Sequence, residues 1–374
     1  MAKHGPSQPF TRNPAPSLEP GVSDAMPPSP AAGDAAPGVP PQHPRPRIIS
    51  SGHEQPGTSR LPSGVAAHLT ESQRLSAEEP LSDADYNYLS RLVYELSRIH
   101  LGPNRKELVA ARVRKRLRHL RLTSYADYRA YLQSGHAETE CQELIDVVST
   151  NFTSFMREPR HFTFLRETIL PDWLAAHTRQ AGSALNPPGF RAWSAACATG
   201  EETYSMAVAM SEVFRNVPHI PWHVEASDIS SRVLRWARRG IYEENRLDVV
   251  PREWVQRHFE YGVNGWAGHL RVCPHLRSRV TFHHHNLLHP PYPVSGSFDV
   301  IFCRNVMIYF DTATQTELVR LLTSHLNPGG WFITGHAETL MAIDHGLERV
   351  EPSVYRKPFA PGMQPAAAVR GRKV

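Results

Sequence analysis

The segment "RAWSAACATGEETYSMA" (191–207) joins a short apolar run to a helical pattern and sets two carboxylates, Glu201 and Glu202, directly after its single glycine, Gly200. In an α/β fold such a turn meets the ligand. A turn that cradles a diphosphate usually holds several glycines, because backbone amides must approach the oxygens closely. Here the glycines are missing and the acids would repel a phosphate. A third acid, Asp228, ends the next strand-like run, "WHVEASD". An acid in that place commonly accepts hydrogen bonds from ribose hydroxyls. The combination fits a nucleoside that carries a cationic or amino group, and S-adenosylmethionine, with its sulfonium and ammonium, is such a ligand. The acids equally fit a helix start that complements the macrodipole, and spacing alone leaves both readings open.

The elements that must position these acids alternate. "RAWSAA", "WHVEASD", "VTFHHHNLL", "FDVIFCRNV" and "WFITGH" read as strands. "EETYSMAVAMSEVF", "SSRVLRWARRGIY" and "TATQTELVRLLTSHL" read as helices, and "NPGG" as a turn. This alternation predicts a doubly wound, mostly parallel sheet with helices on both faces. Between Tyr242 and Arg279 the pattern fails, and "FEYGVNGWAGHLRV" reads as an inserted, glycine-turned antiparallel hairpin.

Upstream, "SDADYNYLSRLVYELSRIH" predicts a capped helix with apolar residues at Tyr88, Leu92, Val93 and Leu96, broken by "LGP". A basic helix follows, with Leu108, Ala111, Leu117 and Leu120 as its inner residues. A third helix starts at Thr123 or Ser124, and "ETECQELIDVVSTN" gives a fourth. The expected organisation is a tail over 1–81, an all-α unit over 82–135, and a linker helix with a connecting segment over 136–158. An α/β domain over 159–358 carries the β insertion at 246–280, and a second tail covers 359–374.

Composition sharpens this division. Sixteen of the 33 prolines lie in residues 1–80, where Phe10 is the sole aromatic, so that stretch is expected to be disordered. "MAKHGPSQPF" lacks the apolar core of a secretory signal, and no run approaches the ~18–20 apolar residues of a membrane span. Four scattered cysteines without C-x-x-C spacing fit a reducing cytoplasm better than a disulfide framework. The net charge of +5 is local: "RKELVAARVRKRLRHLR" (105–121) holds eight Lys/Arg and one Glu. A patch of that kind predicts docking of something acidic.

Four segments carry a resemblance: "STNFTSFMREPRHF" (149–162), "RAWSAACATGEETYSMA" (191–207), "EASDISSRVLRWARRGIY" (225–242) and "FDVIFCRNVMIYFDTATQTELVRLLTSHLNPGGWFITGHAE" (298–338). They resemble, in order, the bacterial chemotaxis receptor glutamate O-methyltransferases of the CheR type. The resemblance runs from about residue 84 to about residue 357 and leaves out the two tails. It implies an S-adenosylmethionine-dependent methyltransferase fold and transfer of methyl to glutamate side chains on chemoreceptor cytoplasmic helices, with S-adenosylhomocysteine as product. It places cofactor contacts on Asn151, Thr153, Arg157, Glu202, Asp228, Asn286, Leu287, Arg304 and Asn305, and puts Tyr309 near the transferred methyl. Arg157 is suited to steer the acceptor carboxylate, because a guanidinium fork matches it; a salt bridge to Glu158 or Glu167 is the competing reading. Tyr309 could equally pack in the core.

The resemblance also places receptor docking on Arg112, Lys115, Arg116 and Arg118 of the basic helix. It implies capture of a receptor C-terminal peptide at the insertion, where Gly262, Asn264 and Gly268 hold the turn and Asn264 replaces the middle glycine. Asn tolerates left-handed dihedrals, so the turn is expected to survive. The implied partners are chemoreceptors, not nucleic acid and not a membrane, and the chain is expected to be a cytoplasmic monomer.

Two features are decoys. Three successive histidines, His283–His285, alternate faces on a strand and cannot converge on one ion, so no metal is expected. "HPPY" (289–292) resembles the motif of amino-methyltransferases but precedes the "FDVIFC" strand instead of following it. The alternatives are a catalytically silent regulatory protein on the same fold and, behind it, a nucleic-acid methyltransferase.

Overall fold

In a computed structural model, residues 80–134, 137–178, 189–294 and 296–361 are described. The tail over 1–79 and residues 362–374 lie outside them.

Four helices open the chain: α1 (Asp83–Ser97), α2 (Lys106–Leu120), α3 (Tyr125–Leu132) and α4 (Ala137–Val148). Ser82 caps α1 by accepting the Asp85 N–H at 3.1 Å, and Ser124 caps α3 by accepting the Asp127 N–H at 3.0 Å. Their shared core holds Leu81, Tyr86, Leu89, Val93, Val109, Ala110, Val113, Leu117, Tyr128, Leu144, Ile145 and Val148. Two expectations change. The fourth helix is part of this core, so the all-α unit runs to Val148 and no linker begins at 136. The inner stripe of α2 is Val109, Ala110, Val113 and Leu117, while Leu108 and Ala111 are exposed and Leu120 is half-buried.

A helical stretch absent from the sequence reading comes next: α5 (Pro159–Phe164), a π turn (Leu165–Ile169) and α6 (Leu170–Thr178). The α/β domain then runs β1 (Phe190–Ala195), α7 (Glu201–Phe214), β2 (Trp222–Asp228) and α8 (Ser231–Arg239). The inserted unit holds β3 (Ile241–Glu243), α9 (Arg252–His258), β4 (Phe259–Tyr261), β5 (His269–Val272) and α10 (Pro274–Arg277). The sheet resumes with β6 (Val280–His284), β7 (Phe298–Cys303), α11 (Thr312–Ser324), β8 (Leu326–Thr334), β9 (Glu348–Glu351) and β10 (Val354–Arg356).

The main sheet has the order β6-β2-β1-β7-β8-β10-β9. Its first five strands are parallel and its last two pair antiparallel. Successive β1 residues feed two cores: Phe190 and Ala192 join one with α5 to α7, and Trp193 and Ala195 join another with α11. The chain winds outward from β1 to β2 and β6, then returns to β7 on the other side. That reversal opens a crevice at the carboxyl ends of β1 and β7.

The insertion is a three-stranded antiparallel sheet of order β3-β5-β4. It begins at Ile241, not 246, because Gly240 ends α8 in the left-handed conformation (φ 60°) and "IY" turns into β3. "NPGG" is not a free turn; it bulges within β8, where Phe298 pairs with Leu326 and Val300 with Trp331. At the far end Phe359 packs beneath Arg356, with its ring 4.5 Å from the guanidinium, so order extends past 358. The four cysteines are unpaired. Among the described residues no helix is long and apolar enough to cross a membrane.

Candidate active site

The crevice widens into a cavity between the all-α unit and the carboxyl ends of the parallel strands. All nine residues that the resemblance placed at a cofactor line it, as does Tyr309. They arrive from separate elements: Asn151, Thr153 and Arg157 from the segment between α4 and α5, Glu202 from the first turn of α7, and Asp228 from the end of β2. Asn286 and Leu287 follow β6, and Arg304 and Asn305 follow β7.

The turn after β1 explains its single glycine. Gly200 has φ +93°, and a Cβ there would lie 2.9 Å from the Ala237 Cβ and 3.0 Å from the Tyr242 hydroxyl. Ala196 (φ 66°) and Ala198 (φ 47°) also adopt left-handed backbone, at a cost of about 1–2 kcal/mol each. Such strain persists only where neighbours fix it. The Cys197 N–H donates to the Ser227 carbonyl at 2.9 Å, and the Ala198 N–H to Asp228 Oδ2 at 2.8 Å. Asp228 Oδ1 accepts the Ser230 N–H at 2.8 Å. Asp228 is therefore the joint between the turns after β1 and β2. Burial pushes its carboxyl up to about 6, against the two N–H donors.

The acids after Gly200 separate in role. Glu202 lines the cavity, accepting from Ser194 Oγ at 2.7 Å and Arg304 Nη1 at 3.2 Å. Burial raises its pKa, with Arg304 opposing. Glu201 is fully buried away from the cavity lining, accepts from Thr199 Oγ1 at 2.6 Å and pairs with Arg246 of the insertion.

Arg304 is a buried bridge, with a side chain 1% exposed. It pairs with Glu202 on one side and with Glu158 Oε2 at 3.0 Å on the other, and donates to the Arg157 carbonyl. Asn305, left-handed at φ 58°, donates from Nδ2 to Glu158 Oε1 at 3.2 Å. Burial disfavours a charged Glu158, but Arg304 and Asn305 outweigh it and hold the carboxyl below its ordinary value. Glu338 fixes the same turn, accepting the N–H groups of Asn305, Met307 and Gly335 at 2.7 Å each. From sequence, Glu158 entered only as a possible partner of Arg157 and Glu338 not at all; their partners are backbone amides, Arg304 and Asn305, remote in the chain.

Asn151, Arg157 and Tyr309 remain. Asn151 lines the cavity, and its buried Nδ2 has no hydrogen-bond partner, as expected of a group whose acceptor is a ligand. Arg157 makes no ion pair among the described residues: Glu158 is taken by Arg304 and Glu167 by Arg166. Its guanidinium donates to the Phe152 carbonyl at 3.0 Å and lies 5.6 Å from the Phe152 ring centre. Tyr309 is half-buried in the cavity wall, outside the core, under the guanidinium of Arg105, 5.1 Å from its ring centre. Arg105 is a lining residue that sequence reading left among the basic run.

The all-α unit closes one side. Ser97, Ile99 and Arg105 line the cavity. Asn286 Nδ2 donates to the Leu96 carbonyl at 3.1 Å, the His100 N–H to the Tyr309 carbonyl at 2.9 Å, and Tyr94 to Asp311 at 2.7 Å. Two of the residues expected to dock have partners within the chain. Arg112 donates to the carbonyls of Val148 and Ser149 at 2.7 and 3.0 Å, tying α2 to the Asn151 segment. Arg116 is spent inside the unit on Glu140 and Glu143, because α4 brings its acids against α2. Lys115 and Arg118 are exposed.

The three histidines do not meet. His283 pairs with Glu225 at 2.7 Å and His284 with the Ile229 carbonyl at 2.8 Å. Glu158, His161 and His336 do bring three ligand atoms within 4.8 Å. Arg304 already neutralises that carboxylate at 3.0 Å, and a cation there would face the guanidinium. Of the three, Glu158 is the partner of Arg304. In the insertion, a Cβ on Gly262 would fall 2.1 Å from the Trp266 carbonyl oxygen, Asn264 is left-handed (φ 55°), and Gly268 has φ +78°.

Comparison with known proteins agrees with this arrangement. Residues 84–149 match the family model "CheR methyltransferase, all-alpha domain", and residues 151–355 match "CheR methyltransferase, SAM binding domain". The chain is 37% identical to the "Chemotaxis protein methyltransferase" of Escherichia coli K12 over 80% of its own length and 98% of that protein's. It is 38% identical to the protein of that name from Salmonella typhimurium over 75% of this chain and 91% of the relative. It is also 38% identical to "Chemotaxis protein methyltransferase 2" of Pseudomonas aeruginosa, over 72% of this chain and 92% of the relative. Most of the cavity's lining lies in the segment that matches the S-adenosylmethionine-binding domain, and the chain belongs to the CheR methyltransferase family.

Proposed function

We propose that the protein methylates glutamate side-chain carboxylates on the cytoplasmic helices of chemoreceptors, leaving glutamate methyl esters. The observation that carries this reading is Arg157, a guanidinium in the cavity wall without a carboxylate of its own. S-adenosylmethionine, when bound, supplies the activated methyl. Asn151, Glu202, Asp228 and the turn after β7 would hold it, and Arg157 and Tyr309 would face the acceptor. A glutamate carboxylate is already ionised at neutral pH, so no general base is required of the protein. Its work is alignment and exclusion of water. Phe152, Val306 and Phe310 line the cavity with apolar surface for the second task.

The deciding experiment is incubation with methyl-labelled S-adenosylmethionine and receptor-containing membranes. Base-labile label on receptor glutamates supports the proposal. Label on nucleobase nitrogen, stable to base, would instead indicate a nucleic-acid methyltransferase. Bound donor without transfer would indicate a silent regulatory protein. Docking in this reading rests on Lys115 and Arg118, since Arg112 and Arg116 are committed internally. Reversing both exposed residues to Glu is expected to lower methylation of receptor about fivefold or more at low salt, with the gap narrowing as salt rises. Unchanged methylation would remove that docking face. The free edge of β4 would accept a receptor-tail strand, and calorimetry with a tail peptide tests it.

Asp228 gives a pH dependence. A ribose hydroxyl donating to its carboxylate favours the ionised form, so the bound state has the lower pKa. Binding then expels a proton wherever free Asp228 is protonated, which is below about pH 6. S-adenosylhomocysteine affinity is therefore expected to be full above that value and to fall by up to about tenfold per pH unit below it. Calorimetry across this range checks the sign; flat affinity would exclude the Asp228–ribose contact.

A further inference from the structure

The strained turn after β1 is held from two directions, and one of them is the insertion. From within the domain come the Ser227 carbonyl and Asp228, described above. From the insertion, the Tyr242 hydroxyl donates to the Thr199 carbonyl at 2.8 Å. Arg246, in the 3-10 turn Glu244–Leu247 after β3, pairs with Glu201. Glu201 in turn accepts from Thr199 Oγ1 at 2.6 Å, so both insertion contacts converge on Thr199. Ala198 lies next to Thr199, lines the cavity and carries the N–H that engages Asp228.

The convergence is not incidental packing. The Glu201 side chain is 0% exposed and that of Arg246 19% exposed, so the pair is a desolvated carboxylate with one guanidinium partner. The base of the insertion is itself anchored: Tyr242, Leu247 and Val250 belong to the same apolar core as α5 to α7. The positive φ values at Ala196, Ala198 and Gly200 mean the turn has no low-energy reason to keep this shape alone.

We propose that Arg246 and Tyr242 are positioning residues for the methyl donor: through Glu201 and Thr199 the β insertion holds the turn after β1 in its donor-binding shape. The insertion thereby sets donor affinity in addition to any role as a docking module. The proposal rests on the S-adenosylmethionine-binding domain and not on the identity of the acceptor. Its readout is donor-site binding, so it fails or stands separately from receptor methylation.

The test uses the full chain with Arg246→Met, Arg246→Lys and Tyr242→Phe, titrated with S-adenosylhomocysteine by calorimetry. Arg246→Met is expected to weaken binding about tenfold or more, and Tyr242→Phe about threefold. Arg246→Lys, which keeps a charge for Glu201, is expected to recover most of the affinity. Hydrogen exchange at the amides of 197–200 should quicken in Arg246→Met while β1 stays protected. Affinity within about twofold of wild type in both Arg246→Met and Tyr242→Phe, with only the melting temperature lowered, would overturn the proposal. So would a loss in Arg246→Met that Arg246→Lys does not restore. Should Arg246→Met fail to fold, Tyr242→Phe decides alone: unchanged affinity and unchanged exchange at 197–200 overturn the proposal.

Discussion

Replacing Arg157 with alanine is expected to slow methyl transfer at saturating donor by roughly 100-fold or more, because an unguided carboxylate loses the alignment the reaction depends on. S-adenosylhomocysteine affinity should shift by no more than about threefold. The asymmetry follows from the contacts. The Arg157 backbone carbonyl, not its side chain, supports Arg304, so the donor side of the cavity keeps its scaffold. The side chain gives up one hydrogen bond to the Phe152 carbonyl and its contact with the Phe152 ring, together about 1–2 kcal/mol of local order at the cavity mouth. Arg157→Lys should recover only part of the turnover, since an ammonium cannot reproduce a bidentate fork. Near-normal turnover of Arg157→Ala in the labelled-methyl assay would rule out steering by this residue.

The second large effect is expected at Arg304. Arg304→Met removes one cation from between two carboxylates, buried Glu202 and half-buried Glu158, and is expected to destabilise the protein by about 3 kcal/mol near neutral pH. The pH dependence has a defined sign. In the wild-type protein Glu158 is held below its ordinary value of 4.5, so its contribution is present above that pH and lost as pH falls through the folded value. Without Arg304, burial pushes both carboxyls up, and charging them costs stability as pH rises. Both effects make the deficit of the variant largest at neutral pH and smaller toward pH 4.5. Urea denaturation of the two proteins across that range checks it. A deficit that does not vary with pH would mean that Arg304 acts by packing against Phe162 and Phe302 and not by charge.

What could be read from sequence was what is local. The strand that ends in Asp228 matches its expected limits, because "WHVEASD" alternates apolar and polar residues and is closed by an acid. The helix starts were legible for the same reason, to within a residue or two: the structure picks Ser82 for the first cap and Ser124 over Thr123 for the third helix. The cofactor residues came from resemblance, and the structure gathers all of them around one cavity. What was not legible depends on partners far along the chain. Nothing near Arg116 announces that Glu140 will neutralise it, so a helix rich in charge looked like a free docking face. Nothing near Glu201 announces Arg246; two adjacent acids at a helix start differ in fate only because one faces the cavity and the other faces the insertion. The π turn Leu165–Ile169 and the antiparallel pair β9 and β10 have no period strong enough to read from one sequence.

The all-α unit presents a basic outer surface on α2, but its Ser97, Ile99, Arg105 and Val148 line the donor chamber. Leu96, His100 and Tyr94 bond it to the α/β half, and Arg112 ties α2 to the end of α4 and to Ser149, which leads into Asn151. A chimera that exchanges residues 84–149 between relatives to transfer receptor preference would also exchange one wall of the chamber. If receptor docking lies on that unit, as proposed above, partner choice and donor affinity would be inherited as a single block, and a change in one would be constrained by the fit of the other.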